Sequence, residues 1–202
     1  MKTFPVHMEI AGPFAAFANP ASGAGFQTYL VPPPSAVGGM FRAIAWLKEG
    51  AIIRPTIVEV CRPLVLTNLT TNYRGPSRKG SLITKGQSQQ MAQQVLQDVC
   101  YRLHGEVVPV GPRHPVHDPC HYLQDLFNRR LAKGQCAYVP HLGLSQFKAT
   151  YFGPFRPETK KEPLNLLIHH FLVSMYDSPL YGAVKPVFAT ARVVDGALKY
   201  VD

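Results

Sequence analysis

Along much of the chain, apolar and polar positions alternate, and prolines and glycines break the alternation often. Segment 6–12, VHMEIAG, alternates and ends at a Gly-Pro pair, so it predicts a first strand. Segment 54–75 is rich in Ile, Val and Thr and predicts a strand or a pair of strands, and segment 95–110 predicts another. The closing PVFATARVVDGALKY predicts a hairpin that turns at Asp195-Gly196.

Two other segments repeat at helical spacing. SAVGGMFRAIAWL, residues 35–47, follows three prolines, and Ser35 suits the N-cap of a helix. HYLQDLFNRRLAKG, residues 121–134, places its large apolar side chains on one side, and Gly134 suits a helix C-terminus. The predicted order of elements is strand, helix, strand, strand, helix, strand, which is typical of an α+β, ferredoxin-like (RRM-like) βαββαβ domain.

This order predicts two parts of unequal size. Residues 1–150 are expected to form the ferredoxin-like domain, interrupted by an inserted hairpin or mobile basic loop at about 74–94. Residues 151–202 mix short strands with turns, so we expect a small C-terminal β-sheet subdomain there.

The charge of the chain is strongly one-sided. The 202 residues include 21 Lys and Arg against 12 Asp and Glu, a net charge of +9, and this balance favours a polyanionic partner. No apolar run approaches the roughly 20 residues of a membrane-spanning helix, and the N-terminus lacks a signal-peptide core. The four cysteines are spread along the chain without a C-x-x-C pair, as expected of reduced thiols. We therefore expect a cytoplasmic protein that is not bound to a membrane.

Five stretches carry a family resemblance because they occur in a fixed order at sensible spacing. They are GPFAAFANP, PPPSAVGGMFRAIAW, RPTIVEV, FNRRLAKGQC and PHLGLSQFKATY. Together they resemble the Cas-five family of type I CRISPR systems, in particular its I-C branch. The tail segments LLIHHFLVSMYD and VFATARVVDGALKY are more loosely similar to the closing strands of that family, and residues 76–94 have no counterpart.

The resemblance implies a member of the repeat-associated RNA-binding superfamily. Such a protein caps the 5′ handle of the guide RNA (crRNA) in the Cascade surveillance complex, beside the backbone and large subunits, and meets target DNA only indirectly. In the I-C branch the same protein usually also cuts the precursor transcript, without a metal or other cofactor. That cut uses a 2′-hydroxyl as the nucleophile and leaves a cyclic phosphate.

The resemblance also locates three catalytic positions. The Tyr that precedes the helix Trp in the family corresponds to Ala45, and the family's Lys-His pair corresponds to Cys120 and His121. Only His121 retains its family identity and is the candidate general base, while the phenol and the charge-stabilising ammonium are missing. Neighbouring side chains that could substitute for them are Tyr101, His104, His117 and Tyr122.

Three functions therefore remain open. The first, which the replacements at Ala45 and Cys120 favour, is a binding and scaffolding subunit that does not cut. The second is an active endoribonuclease that uses His121. The third is a stand-alone RNA-binding protein.

Candidate RNA-binding residues fall in three places. In FNRRLAKGQC, Arg129, Arg130 and Lys133 are predicted to contact the RNA backbone, with one of the two arginines structural; the alternative is a solvated helix face. Gly143 would let backbone N–H groups approach phosphates, unless it belongs to an ordinary turn. A basic loop would supply further contacts, or would simply be solvated; its cations are Arg74, Arg78, Lys79 and Lys85.

One cluster has the residue types of a zinc site. It consists of His114, His117, Cys120 and His121. Its spacing is not that of a standard zinc module, and the second half of a structural site is absent. We therefore expect no metal, and interpret this segment as a histidine-rich loop beside RNA.

Overall fold

The computed structural model describes residues 2–22, 27–76, 78–111, 118–174 and 186–200 and has a mixed α/β fold built on one antiparallel sheet. Within these ranges the helices are α1 (Pro34–Ile44), α2 (Gly80–Thr84) and α3 (Pro119–Ala132), with a 3-10 turn at Pro20–Ser22. The strands are β1 (Pro5–Ala15), β2 (Phe17–Ala18), β3 (Thr28–Tyr29), β4 (Gly50–Val60), β5 (Val65–Tyr73), β6 (Gln89–Val110), β7 (Tyr151–Gly153), β8 (Leu166–Ser174), β9 (Val187–Val194) and β10 (Ala197–Lys199).

The order of strands across the sheet is β7-β1-β6-β4-β10-β9-β8, and each neighbouring pair is antiparallel. Strand β6 is 22 residues long and has two sets of partners. Its first part pairs with β5, where Tyr73 lies opposite Gln89, and its second part lies between β1 and β4. The expectation of an α+β protein is confirmed at the level of a mixed α/β fold with an antiparallel sheet.

The core lies between one face of this sheet and helices α1 and α3. Alternate residues of β1 point into it, so Met8 and Ile10 are fully buried, and Leu103 of β6 is buried beside them. Phe41 of α1 and Phe127 of α3 meet with ring centroids 5.6 Å apart. Phe41 and Phe127, which belong to the apolar pattern that predicted the two helices, therefore hold them on the sheet, whereas Trp46 and Tyr122 of the same pattern are exposed.

Helix α1 ends three residues earlier than its apolar pattern predicts. Pro34 stands in its first turn, where a missing N–H costs no hydrogen bond. Ala45 already has an extended backbone, with φ −150° and ψ 143°. The following residues leave the helix axis, and Trp46 becomes exposed.

Other predicted elements agree with the structure or refine it. Segment 54–75 contains most of β4 and all of β5, and the polar loop after it contains the short helix α2. The predicted hairpin at Asp195-Gly196 is confirmed, since Val194 pairs with Ala197 across it. Both turn residues have positive φ, 47° and 71°, as a type I′ turn requires.

The C-terminal strands belong to the same sheet as the rest of the chain. Strand β10 pairs with β4, with Leu198 opposite Val58, and β9 and β8 follow outward from it. Strand β7 pairs with β1 at the other edge. The division of the chain at residue 150 stays a prediction.

Candidate nucleic-acid interface

The first turn of α3 presents His121 to solvent. Asp118 caps the helix, because its side chain accepts a 3.0 Å hydrogen bond from the His121 N–H, and Pro119 follows it. The His121 side chain is about half exposed, and its Nε2 lies 3.6 Å from the Asp125 carboxylate one turn later. An accessible imidazole held beside a carboxylate has the position that a general base needs.

The other two positions implied by the family resemblance offer no comparable group. Cys120 is buried, and both burial and the nearby Asp118 raise the pKa of its thiol, so it stays neutral. Ala45 is also buried and carries no functional group. Within this trio, only His121 presents an ionisable side chain to solvent.

Of the proposed substitutes that the structure describes, the fold keeps Tyr101 and His104 away from the surface where His121 lies. Tyr101 is fully buried, and burial raises its pKa far above the ordinary value. His104 lies on the opposite face of the sheet from the core residue Leu103, where its ring nitrogens contact His7 and Glu59. Tyr122 is exposed beside His121, and His117 lies outside the described residues.

The C-terminal end of α3 divides its cations between two roles. Arg130 donates a 2.9 Å hydrogen bond from Nη1 to the Ile44 carbonyl, so it caps the end of α1. Arg129 and Lys133 are exposed, and within the described residues neither side chain has a hydrogen-bond or ion-pair partner. The helix end therefore contains one structural arginine and two cations available to a ligand.

The tip of the β5–β6 hairpin is divided in a similar way. Arg78 donates to the Gly75 carbonyl at 3.1 Å and also to the Gln87 carbonyl, so it closes the loop on itself. Arg74 and Lys79 are exposed. The arginine inside the loop therefore supports its shape, and the cations on either side of it face solvent.

Gly143 has a packing reason to be glycine. Its φ is +91°, and a Cβ at this position would lie 1.9 Å from the Ala16 carbonyl oxygen. The neighbouring Leu144 N–H donates to that same oxygen at 3.1 Å. Close approach of two backbones explains this glycine, and a phosphate contact here stays a prediction.

A buried charged cluster on the far face of the sheet had no signal in the sequence. Glu9 is fully buried, and its carboxylate accepts hydrogen bonds from Arg156 Nε at 2.6 Å and from Thr159 Oγ1 at 2.8 Å. Burial raises the pKa of Glu9, but the hydrogen bonds from Arg156 and Thr159 outweigh it, so the pKa lies below its ordinary value. The cluster fastens the segment after β7 to the sheet.

The predicted histidine and cysteine cluster is only partly described. His114 and His117 lie outside the described residues, while Cys120 is buried and His121 is exposed. Across the part of the chain that the structure does describe, no three potential metal ligands come together. In that same part, every helix is too short or too polar to cross a membrane.

A family model described as "CRISPR-associated protein (Cas_Cas5)" matches residues 6–178. The chain belongs to the Cas5 family. It is 28% identical to a Thermus thermophilus protein named CRISPR pre-crRNA endoribonuclease Cas5d, over 95% of this chain and 89% of that protein.

Solved structures share the fold of this Cas5 protein at lower sequence identity. One, described as a CRISPR-associated protein, aligns with a TM-score of 0.72 and 18% identity over 98% of this chain and 92% of its own. A chain of a CRISPR RNA-guided surveillance complex aligns with a TM-score of 0.50 and 15% identity, over 98% and 90%. The Cas5 fold therefore extends over almost the whole chain.

Proposed function

We propose that this Cas5 protein binds and caps the 5′ handle of the guide RNA in Cascade. Its partners would be the crRNA and the backbone and large subunits, with target DNA met only indirectly. The observation that carries this proposal is the Cas5 family match over residues 6–178. The relative named as a pre-crRNA endoribonuclease adds the chemical class of the ligand, which is CRISPR repeat RNA.

The proposed architecture for this task is a ferredoxin-like, RRM-like domain. The strand order β7-β1-β6-β4 supports it, with α1 following β1 and α3 following β6 on the core face of the sheet. In that arrangement the β5–β6 hairpin is an insertion, and β8 to β10 form the C-terminal addition.

Electrostatics supports an RNA partner at the end of α3. The net charge of +9 attracts a polyanion from a distance, and Arg129 and Lys133 are exposed cations without intramolecular partners among the described residues. Arg130 contributes indirectly by holding the end of α1. Arg74 and Lys79 at the hairpin tip would track the RNA backbone farther out.

A second candidate function is metal-independent cleavage of the precursor RNA, and the exposure of His121 beside Asp125 favours it. His121 would accept the proton of a 2′-hydroxyl as its oxygen attacks the adjacent phosphorus. The P–O5′ bond would break and the leaving 5′-oxygen would take a proton from water, which gives a 2′,3′-cyclic phosphate and a free 5′-hydroxyl. Each missing electrostatic donor costs on the order of 10²–10³ in rate, so we expect cleavage to be slow or absent with Ala45 and Cys120 in place.

The binding proposal is tested with purified protein and its cognate repeat RNA over a range of salt concentrations. The double variant Arg129→Glu, Lys133→Glu should bind more weakly. The plot of log binding constant against log salt concentration should also become shallower, by about one unit of slope for each phosphate that is no longer neutralised. The matched control reverses two exposed cations of the C-terminal strands, Arg192→Glu with Lys199→Glu. Equal affinities for variant and control would contradict the role of the helix end, and wild-type protein that does not distinguish repeat from unrelated RNA would overturn the function.

The same preparations, incubated in EDTA, decide between binding alone and cleavage. We expect no specific product from the wild type, and cleavage that is lost in His121→Ala would instead establish the nuclease. The variant Ala45→Tyr with Cys120→Lys restores the family's side chains and should gain cleavage that His121→Ala abolishes. If all of these proteins bind RNA and none cleaves it, the nuclease is excluded and only the binding and scaffolding function is retained.

A further inference from the structure

A cavity of about 510 Å³ opens at the C-terminal end of α1. The chain between α1 and β4 forms one wall, Tyr138 forms another, and the buried side chain of Leu123 from α3 lies between them. Small-molecule sites typically occupy roughly 300–1,000 Å³, so a single planar ring system fits a cavity of this size.

Two large aromatic side chains at this cavity are exposed. Trp46, the one tryptophan of the chain, is 55% exposed, and Tyr138 is 48% exposed. Burial of aromatic surface is favourable, so a pair of half-exposed rings around a cavity is a surface suited to a ligand with an aromatic face.

The walls are held in place before any ligand arrives. The Ala137 N–H donates to the Ala43 carbonyl at 2.7 Å, and the Tyr138 hydroxyl donates to the Gly39 carbonyl at 3.4 Å. Arg130 caps the last turn of the same helix through the Ile44 carbonyl. A preformed site loses less conformational entropy on binding than one that must be ordered.

The cavity also has a cationic side. Arg42 in the last turn of α1 and Lys48 in the following bend both line it and are exposed. Neither side chain has a hydrogen-bond or ion-pair partner within the described residues. This combination matches a nucleotide, because the base can stack on an aromatic face and the phosphate can pair with a cation.

Ala45 accounts for the space. It lies in the wall of the cavity, at the position where the family resemblance implies a tyrosine. A tyrosine side chain there would take up room that alanine leaves open. On that resemblance, the alanine that lacks the family's phenol also leaves the cavity less filled.

We propose that this cavity binds one unpaired nucleobase of the guide RNA, stacked on Trp46 and bordered by Tyr138, with the adjoining phosphates on Arg42 and Lys48. The proposal rests on the proposed function and adds to it a subsite for a single base. A peptide of a neighbouring subunit is the competing occupant. A peptide does not need the two cations at this cavity, whereas RNA phosphates do, so RNA is the better match.

The single tryptophan makes the proposal directly measurable. Binding of the 5′-handle RNA should quench Trp46 fluorescence, and replacing handle nucleotides one at a time with abasic sites should abolish the quenching at one position. Base–aromatic stacking is worth about 1–3 kcal/mol, so Trp46→Ala should weaken handle binding roughly 5- to 150-fold. Ala45→Tyr should weaken it in a similar way by filling the cavity. Leu167→Ala on β8 removes a similarly exposed large side chain far from the cavity lining, and as the matched control it should not.

The possible outcomes distinguish failure of the base subsite from failure of the proposed handle-binding function. Handle binding measured by anisotropy, with Trp46 fluorescence unchanged and no sensitive abasic position, would overturn the base subsite and leave handle binding standing. A fluorescence change that appears only when another Cascade subunit is added would assign the cavity to a protein and also overturn it. Absence of handle binding in the wild type would remove both.

Discussion

At the scale of single residues, Glu9 shows how two opposing effects set a charge state. Burial disfavours its carboxylate, whereas Arg156 donates to it from both Nε and the backbone N–H, and Thr159 donates as well. The Arg156 guanidinium also stacks on the Tyr151 ring at 4.1 Å. The hydrogen bonds prevail, and a buried ion pair becomes the link between β1 and the segment after β7.

Replacing Glu9 with Gln should therefore destabilise the protein and alter its pH dependence. Breaking a buried ion pair costs about 3–5 kcal/mol, and partial exposure of Arg156 places this variant at the lower end. The folded pKa of Glu9 lies below its unfolded value, so the stabilisation is present above the unfolded pKa and is lost as the pH falls through the folded one. Urea unfolding at neutral pH and below about pH 4 should show that loss in the wild type and less of it in Glu9→Gln.

The exposed Glu158 of the same segment provides the control. Glu158→Gln should unfold at nearly the wild-type urea concentration at either pH, because an exposed carboxylate contributes little. If Glu9→Gln behaves like Glu158→Gln, the buried pair does not fasten this segment.

At the scale of elements, β6 joins two structures that the sequence pattern treats separately. Its second part is a central strand with neighbours on both sides, whereas its first part pairs with β5 in a hairpin that leaves the main order of the sheet. The tip of that hairpin contains α2, which has no buried residue. A long strand thus supports a basic tip that the core does not need.

Residues 74–88 should therefore be removable without loss of the fold. Tyr73 pairs with Gln89, so an Asn-Gly turn in place of the tip would close a regular two-residue hairpin. We expect thermal unfolding close to that of the wild type, and weaker handle binding with a shallower salt dependence.

A variant of equal length identifies the cause of that weaker binding. Arg74→Gln, Lys79→Gln and Lys85→Gln together keep the loop and should reproduce most of the loss if charge is responsible. Handle affinity that is unchanged in both variants would show that the tip is only solvated.

At the scale of the whole molecule, the sequence predicted what depends on neighbours along the chain. Alternation and capping residues indicated β1, α1, α3 and the Asp195-Gly196 hairpin, because each is specified within about fifteen residues. Interactions across the fold had no such signal. Arg156 meets Glu9 from 147 positions away, and the Tyr138 hydroxyl reaches the Gly39 carbonyl of α1 from 99 positions away.

The candidate site shows the same difference between what the sequence predicts and what only the fold decides. The family motifs located the residues, but the fold decided which of them face solvent. Adjacent Arg129 and Arg130 look alike in sequence, and one is exposed while the other caps α1. Cys61 and Cys100 are 39 positions apart in the sequence, yet the Cys61 N–H donates to the Cys100 carbonyl at 2.9 Å across the sheet.

The division of the chain near residue 150 leads to the last prediction. Leu198 of β10 is buried opposite Val58 of β4, and the Tyr200 hydroxyl donates to the Pro32 carbonyl at 2.7 Å. If the two parts fold as one unit, Leu198→Ala should lower the stability that Trp46 reports, by the roughly 2–5 kcal/mol typical of a buried leucine. The urea transitions followed by Trp46 fluorescence and by circular dichroism should then shift together.

Val194→Ala is the control for this prediction, because Val194 is 55% exposed and its truncation should change stability by no more than about 0.5 kcal/mol. A Trp46 transition that stays in place while circular dichroism resolves a separate, earlier step would instead establish residues 151–202 as an independent subdomain.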